Sequence, residues 1–283
     1  MKKIIAVLFV LFAGFLLFYL GMPVVNFGFV GLPITLLVLT GFWIVVSTGL
    51  EVSPKTKQLI VKTKPKQFLF LIVAALLLYL IVFPLLTSLP MFRSESYQKM
   101  IGKVVNGEKI SNHIASISID EIRVVDEDLA HLLGEKVLGS QPALGSQVEL
   151  GAFCIQKVNK ELYWVAPLLH SGFFKWMNNQ EGTAGYVMVS ATNERDVKLV
   201  QTSGGKPIRI KYQPEAYFQS NIERHLYASG YATVGLADYS FEIDDEGTPF
   251  WVVTKYEKKI GFSGNDASGI ILVNAQTGEI KEH

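Results

Sequence analysis

Few groups in this chain could make or break bonds. Cys154 is the sole cysteine, so no intramolecular disulfide can form, and a thiolate nucleophile there would need a base such as His170 or His225. Its place between Phe153 and Ile155 is that of a buried strand thiol. The five histidines, His113, His131, His170, His225 and His283, form no His-Glu-x-x-His helix or comparable ligand pair, so the sequence encodes no recognisable zinc site. Asp244, Asp245 and Glu246, with Asn265 and Asp266, offer the oxygen ligands that calcium favours, but their spacing follows no calcium loop and suits a solvated hairpin tip. Ser263 to Gly269 has the glycines of a phosphate loop without its lysine and following helix, and reads as flexible turn sequence. The expected complement of metals and cofactors is none.

The aromatic run Phe173, Phe174 and Trp176 is more informative. It falls between a predicted hairpin and a predicted strand, in a loop or short helix. There it would cap the core of its own module, contact a partner, or rest at a bilayer interface, where amphipathic rings are favoured.

The elements that must carry these residues divide sharply. Residues 1–90 hold seven lysines and one glutamate, a net of +6, whereas the remainder holds 19 basic and 24 acidic residues, a net of −5. With 49% hydrophobic and only 18% charged residues, the chain is neither disordered nor an ordinary soluble enzyme. No charge occurs from Ile4 to Leu50, a run too long for one crossing of a core about 30 Å thick, and Gly21-Met22-Pro23 supplies a break. Spans are predicted near 4–20 and 29–50. A third is predicted near 68–89, where 16 of 22 residues are Leu, Ile, Val or Phe and Pro84 introduces a kink. The first span exceeds the apolar region of a secretory signal and lacks a small-x-small cleavage site, so it is expected to remain as an anchor.

Lysine placement gives an orientation. Lys2 and Lys3 fall on the side of the loop that carries Lys55, Lys57, Lys62, Lys64 and Lys66, against Arg93, Lys99 and Lys103 beyond the third span. The positive-inside bias puts the amino terminus and this basic loop in the cytoplasm, and three crossings export the carboxy-terminal domain. Without interleaved aromatics the loop suits anionic lipid headgroups rather than nucleic acid. No Asp, Glu, Lys, Arg or His lies within a predicted span, which argues against an ion or proton pathway. The spans read as an anchor in the cell membrane, able to self-associate into a homo-oligomer.

Beyond a membrane-proximal helix and linker over 91–125, two α+β units are expected, 126–213 and 214–283. In the first, Asp126 caps a helix with Leu129, Leu132, Leu133 and Val137 on one face, and Asn159-Lys160 turns a hairpin between 148–158 and 161–169. In the second, a helix starts after Pro214 with Phe218, Ile222 and Leu226 four apart, and hairpins turn at 244–247 and 276–278. Tyr163-Trp164-Val165 matches Phe250-Trp251-Val252 at an offset of 87, and 185–192 matches 269–276 at an offset of 84. Tandem helix-plus-antiparallel-sheet units follow.

The run Leu272-Val273-Asn274-Ala275-Gln276-Thr277-Gly278-Glu279-Ile280 resembles the strand, Asp-Ala-x-Thr-Gly turn and strand of the PepSY domain family, with Asn274 where the family often has Asp. The resemblance covers roughly 215–283, and more faintly 126–201. It implies a non-catalytic module outside the membrane that regulates peptidases or binds partner proteins. The expected protein is thus a multi-pass membrane protein, not an enzyme, presenting an extracytoplasmic binding or regulatory domain to a protein or cell-envelope partner. The alternative is a membrane-bound envelope hydrolase whose site is assembled from scattered Ser, His and Asp residues.

Overall fold

A computed structural model describes residues 2–48, 50–52, 59–61, 67–100 and 121–283. The basic-loop lysines Lys55, Lys57, Lys62, Lys64 and Lys66 lie outside the described residues, as does the part of the expected membrane-proximal helix and linker over 101–120. The described chain divides into two compact units. One joins the amino-terminal helices to Gly230–Gly235 and Tyr256–Ala267; the other takes the rest from residue 121 onward.

In the helical unit the uncharged runs become α1 (Lys2–Gly21), α2 (Gly31–Thr48) and α3 (Gln67–Thr87), followed by α4 (Pro90–Met100), which kinks at Arg93. The chain turns between α1 and α2 where expected, with Met22 at a φ of 39°. The Phe9 and Phe42 rings lie 5.4 Å apart and Gly14 abuts Leu39, so α1 and α2 run antiparallel. Thr35 and Thr40 donate to the carbonyls of Gly31 and Leu36, which satisfies both hydroxyls without water. Apolar side chains such as Leu11, Phe68, Leu71 and Ile81 point outward, and no residue of α3 is buried. Among the described helices α3 is long and apolar enough to cross a membrane; the apolar stretches Val7–Gly21 and Gly31–Ser47 are shorter. A membrane-associated chain with a folded mixed α/β region follows.

The other unit holds most of two successive helix-and-sheet regions, the second of which also includes the segments Gly230–Gly235 and Tyr256–Ala267 of the helical unit. The first comprises α5 (Glu127–Gly139), α6 (Pro142–Gly145), β3 (Val148–Leu150), β4 (Cys154–Val158), β5 (Glu161–His170), α7 (Phe173–Asn178), β6 (Tyr186–Ser190) and β7 (Val197–Val200). Two short strands, β1 (Leu50–Val52) and β2 (Leu59–Val61), precede them in the helical unit. The sheet order is β3-β5-β6-β7, with β4 also on β5, and these pairings are antiparallel. Asp126 caps α5 by accepting from the Leu129 amide at 2.9 Å, and acidic Glu127 and Asp128 suit the helix's positive end. The buried face of α5, Ala130, Gly134 and Leu138, shares a core with Phe153, Trp164, Leu168, Val187 and Val189. The strand expected over 148–158 is broken at Gly151–Phe153. Pro167, opposite the break, has no amide to donate, and Phe153 turns inward onto Gly134, where a Cβ would lie 2.9 Å from the ring.

After a small hairpin of β8 (Thr202–Ser203) and β9 (Lys206–Pro207), the second region has α8 (Ile222–Ala228), β10 (Gly235–Ile243), β11 (Pro249–Ile260), β12 (Ser263–Asn274) and β13 (Ile280–Glu282), in sheet order β10-β11-β12-β13. Two expectations are corrected here. Ser263 to Gly269 is the first half of β12 rather than flexible turn; being largely exposed, it carries no apolar alternation to reveal a strand. The helix begins at Ile222, capped by Asn221, rather than just after Pro214.

The two regions repeat a set of bonds. Trp164 Nε1 donates to Val125 O at 2.9 Å, and Trp251 Nε1 to Tyr212 O at 2.7 Å. Ala191 O accepts from the amides of Val124 and Val125; Ala275 O accepts from those of Lys211 and Tyr212. Ala191 N donates to Leu162 O, and Ala275 N to Pro249 O. In the last turn Asn274 Oδ1 accepts from the Gln276 and Thr277 amides, each at 2.9 Å, while Gly278 takes a φ of 75°. An amide oxygen thus does here what an aspartate oxygen does in an Asx turn.

Candidate aromatic docking site

The aromatic residues singled out in the sequence are assembled on α7, which is inserted between β5 and β6. Gly172 opens it at a φ of 105°, where a side chain would be strained, and its carbonyl accepts from the Trp176 amide. The helix presents its three aromatics differently: Trp176 is buried, Phe173 is 38% exposed and Phe174 is 72% exposed.

A second segment completes the patch. Tyr217 and Phe218 lie with their rings 5.0 Å from Phe173 and 5.5 Å from Trp176 respectively, and Tyr217 is also 5.5 Å from Trp176. Phe218 was expected on the helix face with Ile222 and Leu226. Those two are fully buried, whereas Phe218 lies outside the helix, 56% exposed and at a φ of 53°. A bulky residue in the left-handed region costs about 1–3 kcal/mol, and here the strain displays an apolar ring to solvent. With Met177, Gln180, Gln219 and Ser220, these residues line a shallow groove of about 490 Å³. Trp176 Nε1 finds no acceptor among the described residues.

Gln213 holds the two segments together. Its side chain is fully buried: Oε1 accepts from the His170 amide at 2.8 Å, and Nε2 donates to Ile210 O at 2.7 Å and Thr183 Oγ1 at 3.1 Å. Thr183 Oγ1 in turn donates to Leu168 O. The Gln213 backbone closes the aromatic turn, donating to Ser220 O and accepting from the Ile222 amide. A single glutamine thus fixes the end of β5, two residues before α7 opens, and the start of the segment bearing Tyr217 and Phe218. Gln213, Tyr217, Phe218 and Met177 were missed in the sequence. The usable signal was Asn221, a cap residue that separates Phe218 from the helix proper.

The polar groups considered for chemistry lie apart or are held by hydrogen bonds and ion pairs. Cys154 pairs opposite Val165 and His170 opposite Val148, so five residues of β5, about 17 Å, separate the thiol's level from the imidazole's. Burial, then Glu242 and Glu127, push the Cys154 thiol up, away from the thiolate. Burial pushes the His170 imidazole down. His225 Nε2 lies 2.8 Å from Gly278 O, and its ring centroid lies 4.4 Å from that of Tyr212. Asp244 Oδ1 accepts from the Glu246 and Thr248 amides, and Asp245 Oδ1 from the Asn159 amide. Asn265 accepts from Lys258, and Asp266 lies 3.8 Å from Lys259. Among the described residues no group of three or more His, Cys, Asp or Glu is arranged to hold a metal. His113 lies outside the described residues.

The arrangement sets rigid rings around a buried tryptophan, on a scaffold with buried polar ties. No protein-family model, curated protein or solved structure matches this chain.

Proposed function

We propose that this chain is a three-span protein of the cell membrane whose carboxy-terminal domain lies outside the cytoplasm and docks an apolar segment of a protein partner on the patch formed by Phe173, Phe174, Trp176, Tyr217 and Phe218, without catalysing a reaction. Its two α+β regions are copies of one module, and the PepSY-like run at 272–280 belongs to the second copy. The repeated Trp164 and Trp251 bonds, and the repeated Ala191 and Ala275 bonds, support duplication. The antiparallel packing of α1 on α2 supports more than one crossing, as does the bond from Tyr79 on α3 to Phe27 in the α1–α2 connection. The lysine asymmetry supports the orientation.

The observation that carries the docking function is the strained and exposed Phe218, linked through Trp176 and Phe173 to the 72% exposed Phe174. Aromatic rings around a buried tryptophan have the composition of a binding hot spot. A photo-crosslinking amino acid at position 174 of the full chain, in its native membrane, should give one discrete protein adduct. The same probe at Leu132, 61% exposed on α5, should not. Identical adducts from both positions, or lipid adducts alone, would contradict partner docking.

A further inference from the structure

The helical unit contains segments that come from far along the chain, and their contacts are with α3 and the α1–α2 connection. The turn between β11 and β12 brings the Phe262 ring within 5.2 Å of Phe83 and 6.2 Å of Tyr79. Gly261, at a φ of 57°, approaches so closely that a Cβ there would lie 2.7 Å from Ser88 Oγ and 3.3 Å from Pro84 Cα. Neighbouring contacts continue the seam. Tyr256 lies 5.8 Å from Phe29, and Lys258 Nζ sits 5.3 Å and 5.9 Å from the centroids of the Tyr256 and Phe29 rings. The Val25 amide donates to Ala232 O at 2.6 Å.

Depth follows from helix arithmetic. The 21 residues of α3 span about 31 Å, close to a hydrocarbon core of about 30 Å. Phe83 and Tyr79 lie four and eight residues before its end at Thr87, so about 6 and 12 Å inward along the axis. A ring touching both therefore lies at the outer boundary of the hydrocarbon or below it. Phe27, Phe29, Tyr79, Phe83, Tyr256 and Phe262 then form an aromatic girdle of the kind that favours the bilayer interface. Charge returns within a few residues on the strands behind the tip, with Lys259 between Glu257 and Asp266, and on α4 with Lys99 on Glu95. A hairpin bonds its own strands together, as a non-helical element near lipid must. Phe262 remains only half-buried by protein, and Ser263 is exposed.

We propose that the Gly261-Phe262-Ser263 tip is seated in the outer leaflet of the lipid bilayer beside α3, a second and non-helical membrane anchor of the carboxy-terminal chain. The proposal rests on α3 being a membrane span, and the test separates the two. In the full chain, with Cys154→Ser and reconstituted in phospholipid vesicles, a nitroxide is placed singly at Ser263→Cys, Leu77→Cys and Gln276→Cys. Collision with oxygen and with a water-soluble nickel chelate is then compared. Position 263 should behave as position 77 does, open to oxygen and closed to nickel, while 276 is open to nickel. Nickel access at 263 with lipid-like behaviour at 77 overturns the anchor and leaves the span standing. Nickel access at both overturns both.

A second measurement leaves Gly261, Phe262 and Ser263 unaltered. A phospholipid with a photoreactive group in its acyl chain should label the tryptic peptide Ile260–Lys281 of the unmodified protein above the level of peptides from 127–229. Labelling no higher than theirs counts against the anchor.

Discussion

The two sheet regions place an aromatic connection at the same point in their order, between the second and third long strands, and the two connections end differently. Between β11 and β12 the connection is two residues, and its Phe262 meets Tyr79 and Phe83. Between β5 and β6 it is long enough to hold α7, and its Phe174 is left 72% exposed, with only Phe173 as a ring neighbour among the described residues. Where the tip of a connection finds apolar partners within the chain, its ring is half-covered. Where it finds too few, the chain tolerates strain at Phe218 and exposure at Phe174 and Met177. Under the proposed docking function, exposure kept at such a cost serves a surface that acts on something outside the chain.

The strongest way to break this contrast is at Gln213. Gln213→Ala strands the buried His170 amide and the Thr183–Ile210 groups, and should cost about 3 kcal/mol. Thermal unfolding of the purified full chain, followed by near-ultraviolet circular dichroism, would register it, along with lost crosslinking at position 174. A smaller loss sharpens the relation between the two regions. Trp164→Phe and Trp251→Phe each orphan one carbonyl and should each cost about 1–3 kcal/mol, with similar values if the regions share a design. A large cost in one and none in the other would speak against duplication.

The connections themselves should then separate. Phe262→Ala removes two ring contacts, and about 1–2 kcal/mol is expected to be lost. Phe174→Ala should change stability by less than about 0.5 kcal/mol while weakening partner capture. Equal effects on stability would erase the contrast. The smallest effect concerns pH. Burial lowers the folded-state pKa of His170, so as pH falls below its ordinary value the unfolded chain takes up a proton that the folded chain refuses. Stability is full above that value and declines below it, until the folded-state pKa is reached. Between about pH 7 and pH 5, His170→Phe should show a flatter stability profile than the natural chain.

Much of the scaffold was legible because local rules and tertiary packing agree. Uncharged runs became helices within about two residues of their expected ends at α1, α2 and α3. Asn159-Lys160 turns with φ values of 48° and 72°, as the hairpin required. The Trp-bearing strands and the turn after Asn274 fell near the ranges their turn signals marked. What stayed hidden depends on residues distant in sequence. Phe218 keeps the four-residue spacing of a helix face, and the Asn221 cap together with the closure of 213–222 by Gln213 excludes it. The first half of β12 is a strand by pairing alone, with exposed polar residues that carry no period. Of the patch, Phe173, Phe174 and Trp176 were visible as a cluster; Tyr217 and Phe218 join them only through the fold.

Sidedness is the premise for every proposed partner, and cysteine labelling tests it most directly. In a Cys154→Ser background, Lys57→Cys and Thr277→Cys are exposed in turn to a membrane-impermeant thiol reagent, in intact cells and after permeabilisation. Labelling of position 277 in intact cells, with position 57 reached only after permeabilisation, is the predicted result. Labelling of both positions from the same side would contradict three crossings and the exported domain together.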